Sequence, residues 1–189
     1  TLTALLNAGY HEEAHAWRHW VRRAVAGTPE QLQVMYGLAG ERSLEERELP
    51  WLPGYERSVP VRIGNAASKQ FQLDIFGELV GTLDLARKNG VPYVGQPGEL
   101  LALFLDHLEQ IWQQPDEGIW EIRGEPRHFV HSKAMAWLAF RRSADAPMAA
   151  EFAERQAHWA QVAERIHADI CARGVDPEGG YFVPEEYRT

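Results

Sequence analysis

The chain has 189 residues, 45% of them hydrophobic and 24% charged, which is enough apolar content for one globular core. Its 27 acidic side chains outnumber its 19 basic ones, for a formal net charge of -8. That balance argues against nucleic acid and against an anionic membrane surface, since both are bound through basic patches, and it suits a neutral substrate.

A single cysteine, Cys171, excludes an internal disulfide framework and points to a reducing, cytoplasmic setting. No run approaches the roughly 20 apolar residues of a membrane span. Thr1 to Leu6 reads as the middle of a helix with no start signal before it, so the expectation is a segment cut from a longer chain.

In chain order, residues 11–26 read as a helix closed by Gly27. Thr28, Pro29 and Gln31 have the pattern of an N-cap, a first-turn proline and a capping box, predicting a second helix that ends near Gly37. Residues 38–67 carry Pro50, Pro53, Gly54, Pro60 and Gly64 and read as a long irregular loop. Its apolar content (Trp51, Leu52, Tyr55, Val59, Val61, Ile63) argues for order, and an ordered loop of that length is functional.

Residues 68–88 predict a helix with one stripe of Leu73, Phe76, Val80 and Leu83 and further apolar residues on other faces, hence a helix buried on several sides. Gly77 and Gly81 each cost about 1 kcal/mol there relative to alanine, which suits the close approach of another backbone. Residues 97–114, 129–143 and 147–173 read as three more helices, separated by a loop at 115–128. The last carries Phe152, Trp159, Ala163, Ile166 and Ile170 inward, with Glu151 and Arg155 as an exposed pair four residues apart. Residues 179–184 follow as a turn and a short extended piece. Cys171 reads as interior or interface filling.

The fold class expected is therefore all-α, with six or seven helices in hairpins and long loops gathered at one end. Without a short internal repeat, a partial α/α toroid is preferred to a solenoid, as one incomplete barrel segment over residues 1–189.

Seven tryptophans is a high count. Trp17, Trp20, Trp137 and Trp159, on helices, read as core packing. Trp51 and Trp120 sit in loops beside Pro, Gly and charged residues, where a flat indole can stack on the C–H face of a sugar.

The loop from Pro115 to Pro126 concentrates chemistry: four carboxylates (Asp116, Glu117, Glu121, Glu125), Arg123 and Trp120. In an extended conformation Glu121 and Arg123 share a side, with Trp120 and Ile122 opposite. A carboxyl packed against an indole and aliphatic groups is desolvated and keeps its proton near neutral pH, as a general acid needs. The alternative from spacing alone is a surface turn with a Glu121–Arg123 ion pair.

The stretch Gly118-Ile119-Trp120-Glu121-Ile122-Arg123, followed by His128-Phe129 and Ser132-Lys133-Ala134-Met135-Ala136-Trp137, resembles glycoside hydrolase family 15, the glucoamylase, glucodextranase and bacterial trehalase family. A second block resembles it in the same order: Leu52-Pro53-Gly54-Tyr55, Ser58, Pro60-Val61-Arg62, Gly64-Asn65-Ala66-Ala67, then Gln72-Leu73-Asp74 and Gly77. The resemblance implies an (α/α)6 barrel that cleaves α-glucosides with inversion. It implies Glu121 as the general acid, with Trp120 and Arg123 in the sugar subsite and Trp51, Arg62 and Asn65 in a loop that helps form the pocket. Asp74 is left open between a supporting role and a helix-capping or ion-pair role, and His128 and His131, flanking the loop, between a substrate contact or supporting hydrogen bond and helix-start packing.

Inversion needs two carboxyl groups about 6.5–9.5 Å apart. By the resemblance, the base comes much further along than this chain reaches, and a sugar-binding Trp-Leu-Arg-Asp stretch would precede Thr1. Glu185 and Glu186 are not taken as the base, because the tail from Pro184 departs from the family pattern. The chain by itself is expected to be inactive, with open barrel edges that favour self-association. No cofactor is expected.

Two other readings stand beside this one. A non-catalytic helical module would bind sugar or a protein partner. The stretch His11-Glu12-Glu13-Ala14-His15 matches a zinc-peptidase pattern, but it starts a helix, where acidic residues answer the helix dipole, and no third ligand follows. No metal site is expected.

Overall fold

A computed structural model describes residues 1–91 and 97–183. Among them run six α-helices: α1 (Leu2–Asn7), α2 (His11–Ala24), α3 (Asp74–Lys88), α4 (Pro97–Ile111), α5 (Val130–Ala144) and α6 (Ala153–Arg173). Between α2 and α3 lie two two-residue strands, β1 (Arg47–Glu48) and β2 (Arg62–Ile63). The fold is all-α, as the periodicity predicts. Glu185 and Glu186 lie outside the described residues.

Each helix follows from its sequence. In α2, Glu12 and Glu13 sit in the first turn and Arg22 and Arg23 in the last, complementing the dipole at both ends. In α3, Leu73, Phe76 and Val80 of the predicted stripe are buried, and so is Leu79 on another face. Helix α5 is the central one. Its Ala136 and Ala139 are fully buried, and such small side chains let α3 and α6 pack against opposite faces.

The packing directions define the architecture. Going up α3 and α5 together, Asp74 lies by His131, Gly77 by Met135, Gly81 by Leu138 and Asp84 by Arg142, so the two helices run parallel. Phe76 on α3 meets both Phe104 and His107 on α4. Trp137 on α5 meets His167 on α6, and Arg141 meets Glu164, so those two run antiparallel. Asp106 of α4 pairs with Arg155 of α6, and further along Glu109 pairs with His158 and Arg165, so these two are parallel again. The first helices of the hairpins α3–α4 and α5–α6 thus run parallel, and so do their second helices, so the two hairpins pack side by side. The joint core holds Leu73, Phe76, Leu105, Leu108, Phe140, Trp159, Val162 and Ile166. Each such side chain contributes roughly 1.5–3 kcal/mol on burial.

Of the two glycines in α3, only Gly77 meets another backbone. A Cβ there would stand 2.4 Å from the Met135 carbonyl oxygen, whereas one at Gly81 would reach only Leu138 Cδ2 at 3.9 Å.

Four expectations are corrected. The helix over residues 28–37 is only a 3-10 turn at Pro29–Gln31. The backbone then extends at Leu32, because side chains tie the segment across space: Gln33 Nε2 donates to Arg42 O and Ser68 O, and Arg42 donates to Gln31 O, Ala24 O and Ala26 O. Thr28 makes no cap to the backbone; its hydroxyl bonds the Glu30 carboxylate. Arg155 pairs with Asp106 across the helix interface instead of with Glu151, which stays in the 3-10 turn before α6. Cys171 is exposed, since it falls on the wet face of α6. Trp159 is buried as expected, but Trp17, Trp20 and Trp137 are only partly so, and Trp20 Nε1 donates to Leu38 O at 2.7 Å.

No helix among the described residues is long and apolar enough to cross a membrane. A groove of about 790 Å³ runs between α1, α2, α3 and α5, lined by Trp17, Trp20, Val21, Leu79, Met135 and Leu138 among others.

Candidate active site

Helices α3 and α5 begin at the same end, so the segments that lead into them meet there. The segment Gln70–Leu73, between the 3-10 turn Ala66–Lys69 and α3, forms a shelf beside the 115–128 loop. Leu73 N donates to Asp116 Oδ2 at 2.9 Å, Phe71 N to Glu117 Oε2 at 2.9 Å, and Glu117 N to Phe71 O at 3.1 Å. Gln70 Nε2 donates to Ile122 O at 2.8 Å. The loop is closed at its neck, where Asp116 and Arg127 exchange both backbone hydrogen bonds at 2.8 Å. From below, the buried Lys133 of α5 donates to Trp112 O and Gln114 O at the end of α4.

Residues 118–121 make a turn, which corrects the expectation of an extended Trp120–Arg123. Gly118 has φ +62 and its would-be Cβ lies 2.6 Å from the Phe129 ring, so glycine is required on both counts. Glu121 N donates back to Gly118 O at 3.1 Å, and Ile122 N to Glu117 O at 3.3 Å. Glu121 itself has φ +51, a left-handed conformation unfavourable for a residue with a Cβ. Among the described residues the other non-glycine residues with positive φ are Glu56 and Arg57, at the tip of the long loop. Strain of this kind, on the order of 1–3 kcal/mol, persists where surrounding structure imposes it and gathers at functional sites.

The carboxylates of the loop have different environments. Asp116 is buried and bound to Leu73 N; burial pushes its carboxyl up, against the pull of that N–H and of Lys133. Glu117 is bound to Phe71 N. The Glu121 carboxylate makes no hydrogen bond or ion pair among the described residues; Glu121 is exposed, and Trp120 beside it is 78% exposed. The expected desolvation of Glu121 by apolar neighbours is therefore corrected: the turn lifts Glu121 and Trp120 out of the described core.

The long loop is folded by the β1–β2 pair, with Arg47 opposite Ile63 and Glu48 opposite Arg62. Sequence reading missed these strands because two residues are too few to show alternation. Glu46, just before β1, joins the two loops. Its carboxylate takes Arg123 Nη2 at 3.0 Å and Arg123 Nη1 at 3.3 Å, lies 3.8 Å from Arg62 Nε, and accepts from Ala66 N at 3.4 Å. Hydrogen bonds from Arg123, then from Ala66 N, hold the Glu46 carboxyl below the usual range. Arg62 also pairs with Glu48 at 3.0 Å.

The structure thus brings together Arg62, Arg123 and, through Ala66, Asn65. The Asn65 side-chain oxygen is committed to Ala67 N at 2.9 Å, as the cap of the 3-10 turn Ala66–Lys69. Trp51 is not drawn into this group: it sits at the loop tip with Tyr55, both exposed. His128 stands past the neck, half-buried; burial lowers its imidazole, and Lys133 and Arg173 act in the same sense. Asp74 is buried at the start of α3, with His131 Nδ1 4.0 Å from its Oδ2; burial raises its carboxyl and His131 opposes. The site residues missed from sequence are Glu46 and Gln70, whose partners are far away in the chain. In the peptidase-like stretch, His11 is exposed and His15 half-buried on α2. Among the described residues no three His, Cys, Asp or Glu side chains gather as metal ligands.

Two clamped loops thus present a strained glutamate, an exposed indole and two arginines that share the Glu46 carboxylate. A family model for glycosyl hydrolases family 15 matches residues 1–188. The chain belongs to glycosyl hydrolase family 15. Trehalases of this kind are among its relatives. It is 45% identical to a trehalase of Mycolicibacterium smegmatis over 157 residues, 81% of this chain and 23% of that protein. It is 43% identical to a trehalase of Mycobacterium tuberculosis over 154 residues, 78% of this chain and 22% of that protein. A trehalase of Thermoplasma acidophilum is 29% identical over 182 residues, 96% of this chain and 31% of that protein. The family-15 chain therefore spans about a quarter of the length of these curated relatives. No solved structure matches it.

Proposed function

We propose that this chain carries the acid half of the active site of an inverting α-glucoside hydrolase acting on trehalose. The observation that carries the reading is the state of Glu121: held at φ +51 on a clamped turn, beside an exposed Trp120, while Asp116 and Glu117 are committed to backbone N–H groups. The relatives named trehalase support the substrate class. Glu121 protonates the departing glycosidic oxygen, and a second carboxylate activates water from the opposite face. No carboxylate of this chain is assigned as that base.

The surroundings divide the remaining work. Trp120 offers a stacking face for a glucose ring, with Trp51 as a second face at the loop tip. Arg62 and Arg123, tied by Glu46, present guanidinium donors to ring hydroxyls, and Asn65 keeps its amide donor after capping. Bound substrate, by covering the exposed turn, excludes water from around Glu121. The isolated chain is inactive on this reading and self-associates through the groove beside α1 and α2. The free, exposed thiol of Cys171 favours a reducing compartment, hence the cytoplasm.

The test is hydrolysis of trehalose by the full-length protein bearing this segment, with and without Glu121→Gln. A loss of several orders of magnitude in kcat at unchanged thermal stability is expected. Retention of the rate in the variant overturns the assignment.

A further inference from the structure

We propose that Glu117 is a positioning residue for Glu121, acting by an exchange of hydrogen-bond acceptors at Phe71. The inference rests on the reading of Glu121 as the acid. Glu117 N donates to Phe71 O at 3.1 Å, which is half of an antiparallel backbone pair. The other half would send Phe71 N to Glu117 O. Instead Phe71 N goes to the Glu117 carboxylate, Oε2, at 2.9 Å. The Glu117 carbonyl is thereby left to accept Ile122 N at 3.3 Å.

That last bond matters because Ile122 directly follows Glu121. Together with Glu121 N to Gly118 O at 3.1 Å, it closes the turn and holds Glu121 in its left-handed conformation. The neighbouring Asp116 takes Leu73 N in the same way, so the N–H groups of residues 71 and 73 are both met by side-chain oxygens. A buried or half-buried N–H demands an acceptor. Without the Glu117 carboxylate, Phe71 N recaptures the Glu117 carbonyl, Ile122 N is released, and the turn relaxes. The role needs an acceptor oxygen at that reach, not a negative charge.

Two variants separate this from a general structural role. In the full-length protein, Glu117→Ala lowers kcat on trehalose by about a hundredfold, the scale of an ångström-sized misplacement, with KM within about twofold. Glu117→Gln, whose amide oxygen keeps the bond, stays within about threefold of the parent. In the same full-length variants, amide exchange at Ile122 accelerates in Glu117→Ala and not in Glu117→Gln, while Leu105 and Phe140 keep their protection. An undiminished kcat in Glu117→Ala overturns the inference, as does an equal loss in both variants or a loss of protection throughout the core. If Glu121→Gln is silent, the reading of the acid fails, and the exchange at Ile122 still judges the clamp. If Glu121→Gln is inactive and Glu117→Ala is not, only the positioning role fails.

Discussion

The Arg123 guanidinium closes on both carboxylate oxygens of Glu46, at 3.0 and 3.3 Å, across 77 positions of sequence. This pair, with Gln70 to Ile122, fastens the loop before α3 to the loop before α5. A planar fork meeting a carboxylate fixes orientation as well as distance, which an ammonium does not.

Arg123→Lys in the full-length protein is therefore expected to raise KM for trehalose about tenfold, the loss of roughly one charge-assisted hydrogen bond, with a smaller effect on kcat. Because Arg123 holds the Glu46 carboxyl below the usual range, the clamp is intact above the ordinary glutamate pKa and is lost as pH falls through the lowered value. KM should be flat from neutral pH down to the ordinary carboxylate range and rise below it. Steady-state kinetics against pH check both statements, and a KM indifferent to Arg123→Lys refutes them.

Gly77 and Gly81 are expected to respond with opposite signs. Gly77→Ala drives a methyl to 2.4 Å from Met135 O and must part α3 from α5, at a cost of about 1–3 kcal/mol. Gly81→Ala meets only an ordinary contact at 3.9 Å and should gain roughly 0.5–1 kcal/mol from helix propensity. Urea unfolding of the two variants decides it. Equal destabilisation would contradict the parallel packing described above.

Gly118→Ala places a side chain at φ +62 and 2.6 Å from the Phe129 ring. The expected loss is about 1–3 kcal/mol, a fall of several degrees in Tm, with a kcat deficit beyond what the lower stability explains. Thermal unfolding and trehalose hydrolysis well below Tm provide the comparison. A variant with parental Tm and kcat would show that the turn is not held as described.

Lys133 is buried, and burial lowers its ammonium to about 8. Between that value and the ordinary lysine pKa the unfolded chain binds the proton and the folded chain does not, so stability rises with pH across this window. Below it both states are protonated, and the folded state bears the full cost of the buried charge. Lys133→Met removes the rise but strands Trp112 O and Gln114 O, at a cost of about 1–3 kcal/mol. Chemical denaturation at several alkaline pH values, parent against variant, measures both effects. A parallel pH dependence in the two proteins would contradict the assignment.

Much of this was legible in the chain. Helices α2, α3, α5 and α6 show their apolar spacing and end charges locally, and the site loop announces itself by crowding carboxylates, Arg123 and Trp120 together. Three features were not legible. The capping pattern at Thr28 to Gln31 is outvoted by Gln33 and Arg42, which satisfy backbone groups far from themselves. The two-residue strands are too short for alternation to register. Glu46 sits in a run of charged residues where nothing local separates it from Glu45 or Glu48.

The amino-acid sequence by itself determined the all-α class and the placement of the principal helices, because periodicity and composition act over a few residues; Glu121 became the acid candidate only through the family resemblance of its stretch. Only the tertiary structure decided which carboxylates are free to act. Asp116, Glu117 and Glu121 look alike along the chain. They differ because the shelf at Phe71 and Leu73 supplies unpaired N–H groups to the first two and none to the third. An acceptor's commitment is a property of distance in space, and distance along the chain does not encode it.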